Sequence, residues 1–417
     1  NNIFFGRNFY NFSLTWLLQS NYNPIHIVPL SWALPLYGYL MPVIVAITFA
    51  TNSFIVLVLS QKLPRSPTNF VLLAMAVSEL LTGFSCLPWL LYYYTLRGFS
   101  TDQEMGLPPF WCCMFPFMAF ILPSVFHTAA IWLTVYLAVQ RYIYICLPKY
   151  VGNHCSLKRT KQVIFTICVA AVLFYAPDTF AMYNKSFATV DKNDNSLIRY
   201  CVRMKSSFIN FIGNDAYHFF IYGLHTALIH ILPCILLVTF TWKLIRAIRF
   251  ADERYATLIS NLTSLNEEIS QENDPINSPM GEFLKPEKDQ QKKKKGSCSN
   301  SALIESKRVQ GLKQTTRMLI VVILLFLVTE IPAAMIFATH VGTVALRINA
   351  ILKYYDVINK LLIIRNILIV ISYPFRFAIY CGMSQQFREA AQKMFVGKVR
   401  VNLLLCQKSG WLLETRL

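Results

Sequence analysis

Residues 318–340 read MLIVVILLFLVTEIPAAMIFATH, an apolar run that contains a single acidic residue, Glu330. A helix needs about 20 mainly apolar residues to cross the hydrocarbon core of a bilayer, and this run is long enough. Six other stretches share its character. The seven together are 34–59, 70–94, 114–145, 163–180, 217–242, 318–340 and 357–381. They are too long for strands of a membrane β-barrel, which alternate in pieces of about ten residues.

The composition also indicates a membrane protein. Hydrophobic residues make up 55% of the 417 residues and charged residues 14%, whereas soluble proteins have about 25% charged residues. The net charge of +18 does not indicate nucleic acid, because the basic residues lie in short runs between apolar stretches. Eleven cysteines are too few for a disulfide scaffold, and none has zinc-type spacing. We therefore expect no metal and no cofactor.

The basic residues predict the orientation in the membrane. Lys and Arg concentrate in the segments 60–68, 146–162, 243–317 and 382–417, which the positive-inside rule assigns to the cytoplasm. Residues 1–33 then form an extracellular N-terminus, without a visible signal peptide. Residues 34–381 form the seven-transmembrane domain, and 382–417 form a cytoplasmic tail. The Asn-x-Ser sequons at Asn11 and Asn184 lie outside, where glycosylation occurs.

Two segments outside the seven stretches have patterns of their own. Residues from about 250 to 305 are rich in Asn, Ser, Glu and Lys, a composition that predicts a disordered cytoplasmic loop. Residues 384–395 read as an amphipathic helix along the membrane lipids, with Phe387, Ala391, Met394 and Phe395 on one face. The predicted fold is all-α, a seven-transmembrane helix bundle with a short amphipathic eighth helix.

Several local motifs resemble those of rhodopsin-like (class A) G-protein-coupled receptors. Gln140-Arg141-Tyr142 resembles the Asp-Arg-Tyr region at the cytoplasmic end of the third span, and Tyr380 matches the end of the Asn-Pro-x-x-Tyr motif. The resemblance implies a receptor in the plasma membrane, with a heterotrimeric G protein as partner. It also implies that Gln140, Arg141, Tyr142 and Tyr380 form the coupling site for that G protein.

The departures from this class are specific. Its Asp in span two is Glu79, its Trp in span six is Glu330, and its Asn in span seven is Arg376. In most such receptors the equivalent acid and Asn help to bind a sodium ion. We expect Arg376 to form a permanent bridge with Glu79 instead; the alternative is that Arg376 extends to the headgroups and Glu79 is protonated. We also expect Glu330 to hydrogen-bond His127, in place of the missing Trp.

One group within the class carries this combination. The chain resembles the invertebrate sex peptide receptors, also known as myoinhibitory peptide (B-type allatostatin) receptors. The segments that carry the resemblance are 35–39, 67–72, 132–134, 138–144, 330–332, 372–374 and 379–384. It implies an amidated neuropeptide of the myoinhibitory or sex-peptide type as ligand. Receptors for myosuppressin and FMRFamide-like peptides share several of these segments and remain an alternative.

The receptor class further implies a disulfide between the second extracellular loop and span three. Cys112 and Cys201 are placed to form it, and the adjacent Cys113 is a rival partner. Amine receptors carry an Asp where this chain has Pro123, and opsins carry a Schiff-base Lys where it has Val370. Both ligand classes are therefore disfavoured.

A helical count gives candidate ligand-binding residues in the outer third of the bundle, each of which could instead serve ordinary packing. They are Trp89, Tyr93, His127, Tyr222, His225, Phe337, His340, Arg365 and Asn366. A transporter is a distant alternative, because repeated halves and broken helices are not visible. An intramembrane enzyme would need motifs such as His-Glu-x-x-His or Gly-x-Ser-x-Gly, which the sequence lacks. We expect no enzymatic activity.

Overall fold

Seven membrane-length helices form the structure, a computed structural model that describes residues 29–61, 66–190, 197–213, 216–217, 223–271, 314, 316–336, 338–339 and 355–394. Each helix is long and apolar enough to cross a membrane. We number them spans 1 to 7: Leu30–Gln61, Pro67–Thr95, Pro109–Cys146, Leu157–Ala181, Gly223–Phe250, Thr316–Ile336 and Lys360–Met383. The predicted seven-transmembrane bundle is confirmed. The N-terminal residues 1–28 and the tail from 395 lie outside the described residues.

Four of the spans contain a π-helical segment. These segments are Leu34–Leu40 in span 1, Leu91–Thr95 in span 2, Phe117–Ile121 in span 3 and Thr226–Ile231 in span 5. Each contains a proline or lies within one helical turn of one, and proline removes a backbone donor and clashes with the preceding turn. The α-helical parts are Leu30–Ala33, Met41–Gln61, Pro67–Leu90, Pro109–Pro116, Leu122–Cys146, Leu157–Ala181, Leu232–Gln271 and Tyr355–Met383.

A β-hairpin follows span 4 and covers one end of the bundle. Strand β1, Met182–Val190, pairs antiparallel with β2, Leu197–Lys205, and places Ser186 opposite Cys201. A disulfide from Cys201 to Cys112 fixes the hairpin to span 3, with the two Cα atoms 5.7 Å apart. Cys112 is thus the partner, and Cys113 is a free thiol. We call this end the hairpin face and the other end the opposite face; all four π-helical segments lie toward the hairpin face.

Short helices complete the connections. Gly98–Glu104 joins spans 2 and 3, and Pro148–Tyr150 and Val151–His154 join spans 3 and 4. Ser207–Ile212 follows the hairpin. The hairpin also contacts the first of these connections, because the backbone N–H of Arg199 donates to the carbonyl of Met105 at 2.8 Å. This contact adds a second attachment of the hairpin beside the disulfide.

The surroundings of Asn184 argue against the predicted glycosylation at this sequon. The side chain is only 8% exposed, and its amide nitrogen donates to the carbonyl of Cys112 at 3.0 Å. A glycan would be attached through that nitrogen, which must then face solvent. In the structure Asn184 instead holds the hairpin against the disulfide. The other sequon, Asn11, lies outside the described residues.

The amphipathic eighth helix is confirmed over residues 385–394. The hydroxyl of Ser384 caps its first turn by accepting from the N–H of Phe387 at 3.2 Å. Phe387 is buried and packs its ring near Phe54 and Tyr380, at centroid distances of 6.3 and 5.9 Å. The apolar face of this helix therefore rests on spans 1 and 7. Phe395, which we also predicted on that face, lies outside the described residues.

The predicted disordered loop is wrong for residues 250–271, because the helix that begins at Leu232 continues to Gln271. Apolar residues recur in the sequence at 255, 258, 262, 265 and 269, the spacing of one helical face. The prediction considered the polar composition and overlooked this period.

Spans 1 and 4 also begin earlier than predicted, at Leu30 and Leu157, because a helix continues beyond its apolar residues. Residues 272–313 lie outside the described part of the chain.

The buried amide of Asn184 predicts that this sequon carries no glycan. In an Asn11→Gln background, Ser186→Ala destroys the sequon and leaves the Asn184 amide in place. We expect Ser186→Ala to leave the electrophoretic mobility of the protein unchanged, with or without glycosidase. Asn184→Ala removes the hydrogen bond to Cys112 and should lower the melting temperature, by an amount corresponding to ~1 kcal/mol. A mobility increase caused by Ser186→Ala would contradict the prediction.

Candidate functional site

The carboxylate of Glu330 lies at the centre of the bundle and is held by two histidines. Glu330 is 1% exposed. His127 Nε2 of span 3 lies 3.0 Å from one carboxylate oxygen, and His230 Nδ1 of span 5 lies 3.3 Å from the other. The second ring nitrogen of His127 lies 3.1 Å from the hydroxyl of Tyr373 in span 7. The predicted contact between His127 and Glu330 is confirmed, and it belongs to a cluster that joins four spans.

The two imidazoles provide hydrogen-bond partners for the carboxylate of Glu330, whose burial in a membrane without partners would cost free energy. Each oxygen of Glu330 has one imidazole. If Nε2 of His127 carries the proton and donates to Glu330, then Nδ1 is free to accept from the hydroxyl of Tyr373. Because the partners of Glu330 lie on spans 3 and 5, span 6 cannot move away from both without breaking a hydrogen bond.

Two members of this cluster, His230 and Tyr373, were missed by the sequence predictions. His230 did carry a signal, since a histidine three residues before Pro233 in an apolar stretch is unusual for lipid-facing sequence. Tyr373 carried none, because tyrosine is common in such helices. Within the described residues no group of three or more His, Cys, Asp or Glu side chains is arranged to hold a metal ion.

A second buried cluster surrounds Glu79 of span 2. Arg376 of span 7 donates from Nη1 to one carboxylate oxygen, and Asn52 of span 1 donates to the other at 3.1 Å. Arg376 is 2% exposed. Its position therefore corresponds to the predicted bridge with Glu79 and not to the alternative of an arginine extended to the headgroups.

The two clusters meet at Tyr373. The hydroxyl of Tyr373 contacts His127, while the guanidinium carbon of Arg376 lies 5.8 Å from the centroid of the Tyr373 ring. The same guanidinium lies 5.7 Å from the ring of Phe326 in span 6, within the range of a cation–π contact. A continuous set of contacts thus runs from Glu330 through His127, Tyr373 and Arg376 to Glu79.

The predicted ligand residues Trp89 and Tyr93 are packed inside an aromatic wall near the hairpin face. Their rings stack at 4.7 Å, and Trp89 also contacts Phe115 at 4.3 Å. Tyr93 is only 1% exposed, and its hydroxyl donates to Asp102 at 3.0 Å. The structure gives both residues the packing role that we considered as the alternative. The outer layer of this wall is a stacked pair, Tyr92 and Trp111, with centroids 4.0 Å apart.

The other described candidates are polar and lie on spans 5 and 7. Asn366 donates to the hydroxyl of Tyr37 at 2.9 Å and accepts from Arg365 at 3.1 Å. His225 packs on Tyr175 at 4.9 Å, and its Nε2 lies 3.6 Å from a carboxylate oxygen of Asp178. The other three candidates, Tyr222, Phe337 and His340, lie outside the described residues.

On the opposite face, Gln140 and Arg141 are buried side by side. Gln140 accepts from Thr68 and donates to Thr160, both at 3.4 Å. The guanidinium carbon of Arg141 lies 5.6 Å from the ring centroid of Tyr144. Among the described residues no carboxylate forms an ion pair with Arg141. Burial raises the pKa of the nearby Cys155 thiol, which therefore stays neutral and adds no countercharge.

The opposite face is closed by contacts of span 6. Arg317 donates to Asp252, on the extension of span 5, at 2.9 Å, and Gln314 donates to the carbonyl of Met383 at 3.3 Å. Of the other two coupling candidates, Tyr380 is buried. Tyr142 contacts the ring of Phe240 at a centroid distance of 5.6 Å. This end of span 6 is thus attached to the extension of span 5 and to span 7.

Comparison with known proteins agrees with this architecture. Residues 51–390 match the 7 transmembrane receptor (rhodopsin family). The chain is 34% identical to the Sex peptide receptor of Drosophila melanogaster over 374 residues, which cover 89% of this chain and 75% of the fly protein. It is 29% identical to Sex peptide receptor-related protein 2 of Caenorhabditis elegans over 364 residues, 86% of this chain and 71% of the relative. The chain belongs to the rhodopsin family of seven-transmembrane receptors and is no enzyme.

Proposed function

We propose that this receptor responds to an amidated neuropeptide of the myoinhibitory or sex-peptide type and activates a heterotrimeric G protein. The hairpin face with the N-terminus lies outside the cell, and the opposite face meets the G protein in the cytoplasm of a plasma-membrane receptor. The observation that carries the ligand proposal is the similarity to the Drosophila Sex peptide receptor over 89% of the chain.

The chemistry of the bundle supports a peptide over a small amine. The acid at the centre, Glu330, is engaged by His127 and His230 on both oxygens, so it offers no open carboxylate for an ammonium group. Toward the hairpin face lie aromatic, amide and basic side chains, such as Trp111, Asn366 and Arg365. The two acids at this end, Asp102 and Asp178, are engaged by Tyr93 and by Tyr217 and His225. Aromatic faces stack on aromatic side chains, and these polar groups bind backbone carbonyls and a terminal amide.

The alternative ligands are myosuppressin or FMRFamide-like peptides. They share an amidated C-terminus with the myoinhibitory peptides. A transporter remains only as a distant alternative, because membership in the rhodopsin family indicates a receptor.

We propose that Glu330 transmits the signal of ligand binding to span 6 through its hydrogen bonds. Its hydrogen bonds to spans 3 and 5 hold span 6 in place, and the opposite end of this helix is attached to the extension of span 5 and to span 7 by the Arg317–Asp252 and Gln314–Met383 contacts. A ligand that separates Glu330 from either histidine would let span 6 move outward and expose Arg141. A ligand shifts such an equilibrium by its differential affinity for the two states.

The ligand proposal predicts a selective response in cells that express the receptor. A panel of amidated myoinhibitory peptides should activate a G-protein reporter in a dose-dependent way, whereas the same peptides with a free carboxylate should be weaker, because an anion replaces the terminal amide. Biogenic amines such as octopamine serve as the control and should be silent. Activation by an amine together with silence to every amidated peptide would overturn the proposal.

The Glu330 cluster predicts that Glu330→Gln raises basal signalling at unchanged surface expression. An amide binds the two imidazoles more weakly than a carboxylate, since hydrogen bonds to charged groups are about twice as strong. Thr329→Val is the matched control, because the neighbouring buried hydroxyl of Thr329 donates only to its own helix, at the carbonyl of Phe326. If basal signalling and peptide potency both stay at the native level, Glu330 has only a structural role.

The surroundings of Arg141 predict that Gln140→Asp lowers basal signalling. The substitution supplies the carboxylate that the described residues lack around Arg141, and a pair worth ~1 kcal/mol would reduce the active population about fivefold. Gln140→Asn is the matched control, because asparagine has the shape of aspartate without its charge. Equal basal activity of the two variants, measured at equal surface expression, would show that the missing charge has no effect.

A further inference from the structure

The residues around Glu79 do not fit the sodium ion that receptors of this class hold at the equivalent position. A sodium ion is a hard cation and needs several oxygen ligands. Here Arg376 donates to one oxygen of Glu79 and Asn52 donates to the other. The carboxylate that would be the main ligand of a cation already carries a hydrogen-bond donor on each oxygen.

The remaining polar atoms of this cluster are also unsuitable for a cation. Among the described residues, Nε and Nη2 of Arg376 are buried without a hydrogen-bond partner, and so is Oδ1 of Asn52. The two nitrogens are donors on a positively charged group, which repels a second cation. A single amide oxygen is the one acceptor left unpaired by these three side chains.

We propose that the guanidinium of Arg376 is a built-in cation that replaces sodium, so that this receptor binds no sodium between spans 2 and 7 and its stability does not respond to sodium. The ion pair joins span 2 to span 7, Asn52 adds span 1, and the ring of Phe326 in span 6 lies beside the same guanidinium. A tethered cation cannot leave when the outside solution changes. The junction of these four spans is therefore set by the sequence and is independent of the ion gradient.

The first test uses the native receptor without ligand, purified in detergent or nanodiscs. Its melting temperature is measured in sodium chloride, potassium chloride and choline chloride at equal ionic strength, and ionic strength is varied separately as a control. A bound ion stabilises the folded state in proportion to its concentration above its dissociation constant. We expect the three melting temperatures to agree. A melting temperature that rises specifically with sodium would overturn the proposal.

The second test is a gain of sodium dependence. Arg376→Asn removes the cation and introduces the residue that the class has at this position, so an oxygen of Glu79 and an amide oxygen become available. We expect the melting temperature of this variant to rise with sodium but not with choline. The matched control is Arg376→Lys, which keeps a positive charge and should stay insensitive. A folded Arg376→Asn variant without sodium dependence would contradict the proposal that Arg376 excludes the ion.

If Arg376→Asn does not fold, a third measurement tests whether Glu79 and Arg376 form an ion pair. Glu79→Gln and Arg376→Gln each leave one buried charge unpaired, whereas the double variant leaves none. We expect surface expression of the double variant to exceed that of either single variant. Strictly additive losses would show that the two side chains do not interact. These measurements need no agonist, so their outcome is separate from that of the peptide-ligand proposal.

Discussion

A buried charge inside a bilayer must have a partner, and this requirement organises the interior of the receptor. Glu79 and Glu330 are both almost completely buried, and an unpaired acid at such depth is costly. Their partners come from other spans: Asn52 and Arg376 for the first, His127 and His230 for the second. Apolar packing between helices is non-directional, so these polar contacts help to fix the rotation of spans 1, 2, 3, 5, 6 and 7 relative to one another.

The two clusters differ in how easily their contacts can change. The Glu330 cluster consists of hydrogen bonds between groups that can exchange partners, which suits an element that changes with ligand. The Glu79 cluster contains a guanidinium fixed to its helix, which suits an element that stays in place. Tyr373 touches both, through its hydroxyl and its ring. Tyr373 is therefore the residue at which coupling between the two clusters is measured.

The sequence was sufficient to predict two buried contacts, because each involves an acidic side chain inside a membrane span that requires a hydrogen-bond or ion-pair partner. Glu79 with Arg376 and Glu330 with His127 follow from depth along the helix and the cost of an isolated charge. The packing of Trp89 and Tyr93 did not follow, because depth does not give the rotation of a helix about its axis. Asn184 shows the same limit: a sequon marks a chemical possibility, and only the hairpin register and the disulfide show that its amide is already engaged.

The π-helical segments near the hairpin face give that end of the bundle a different mechanical character. A π-helical turn holds one residue more than the α-helix around it, and such turns are often found at functional sites. A shift of that extra residue along the chain rotates the side chains it passes by about 100° without unwinding the helix. Four spans carry this feature above the buried charges. At the hairpin end the side chains of these spans can therefore be reoriented, while the Glu79–Arg376 ion pair below keeps its position.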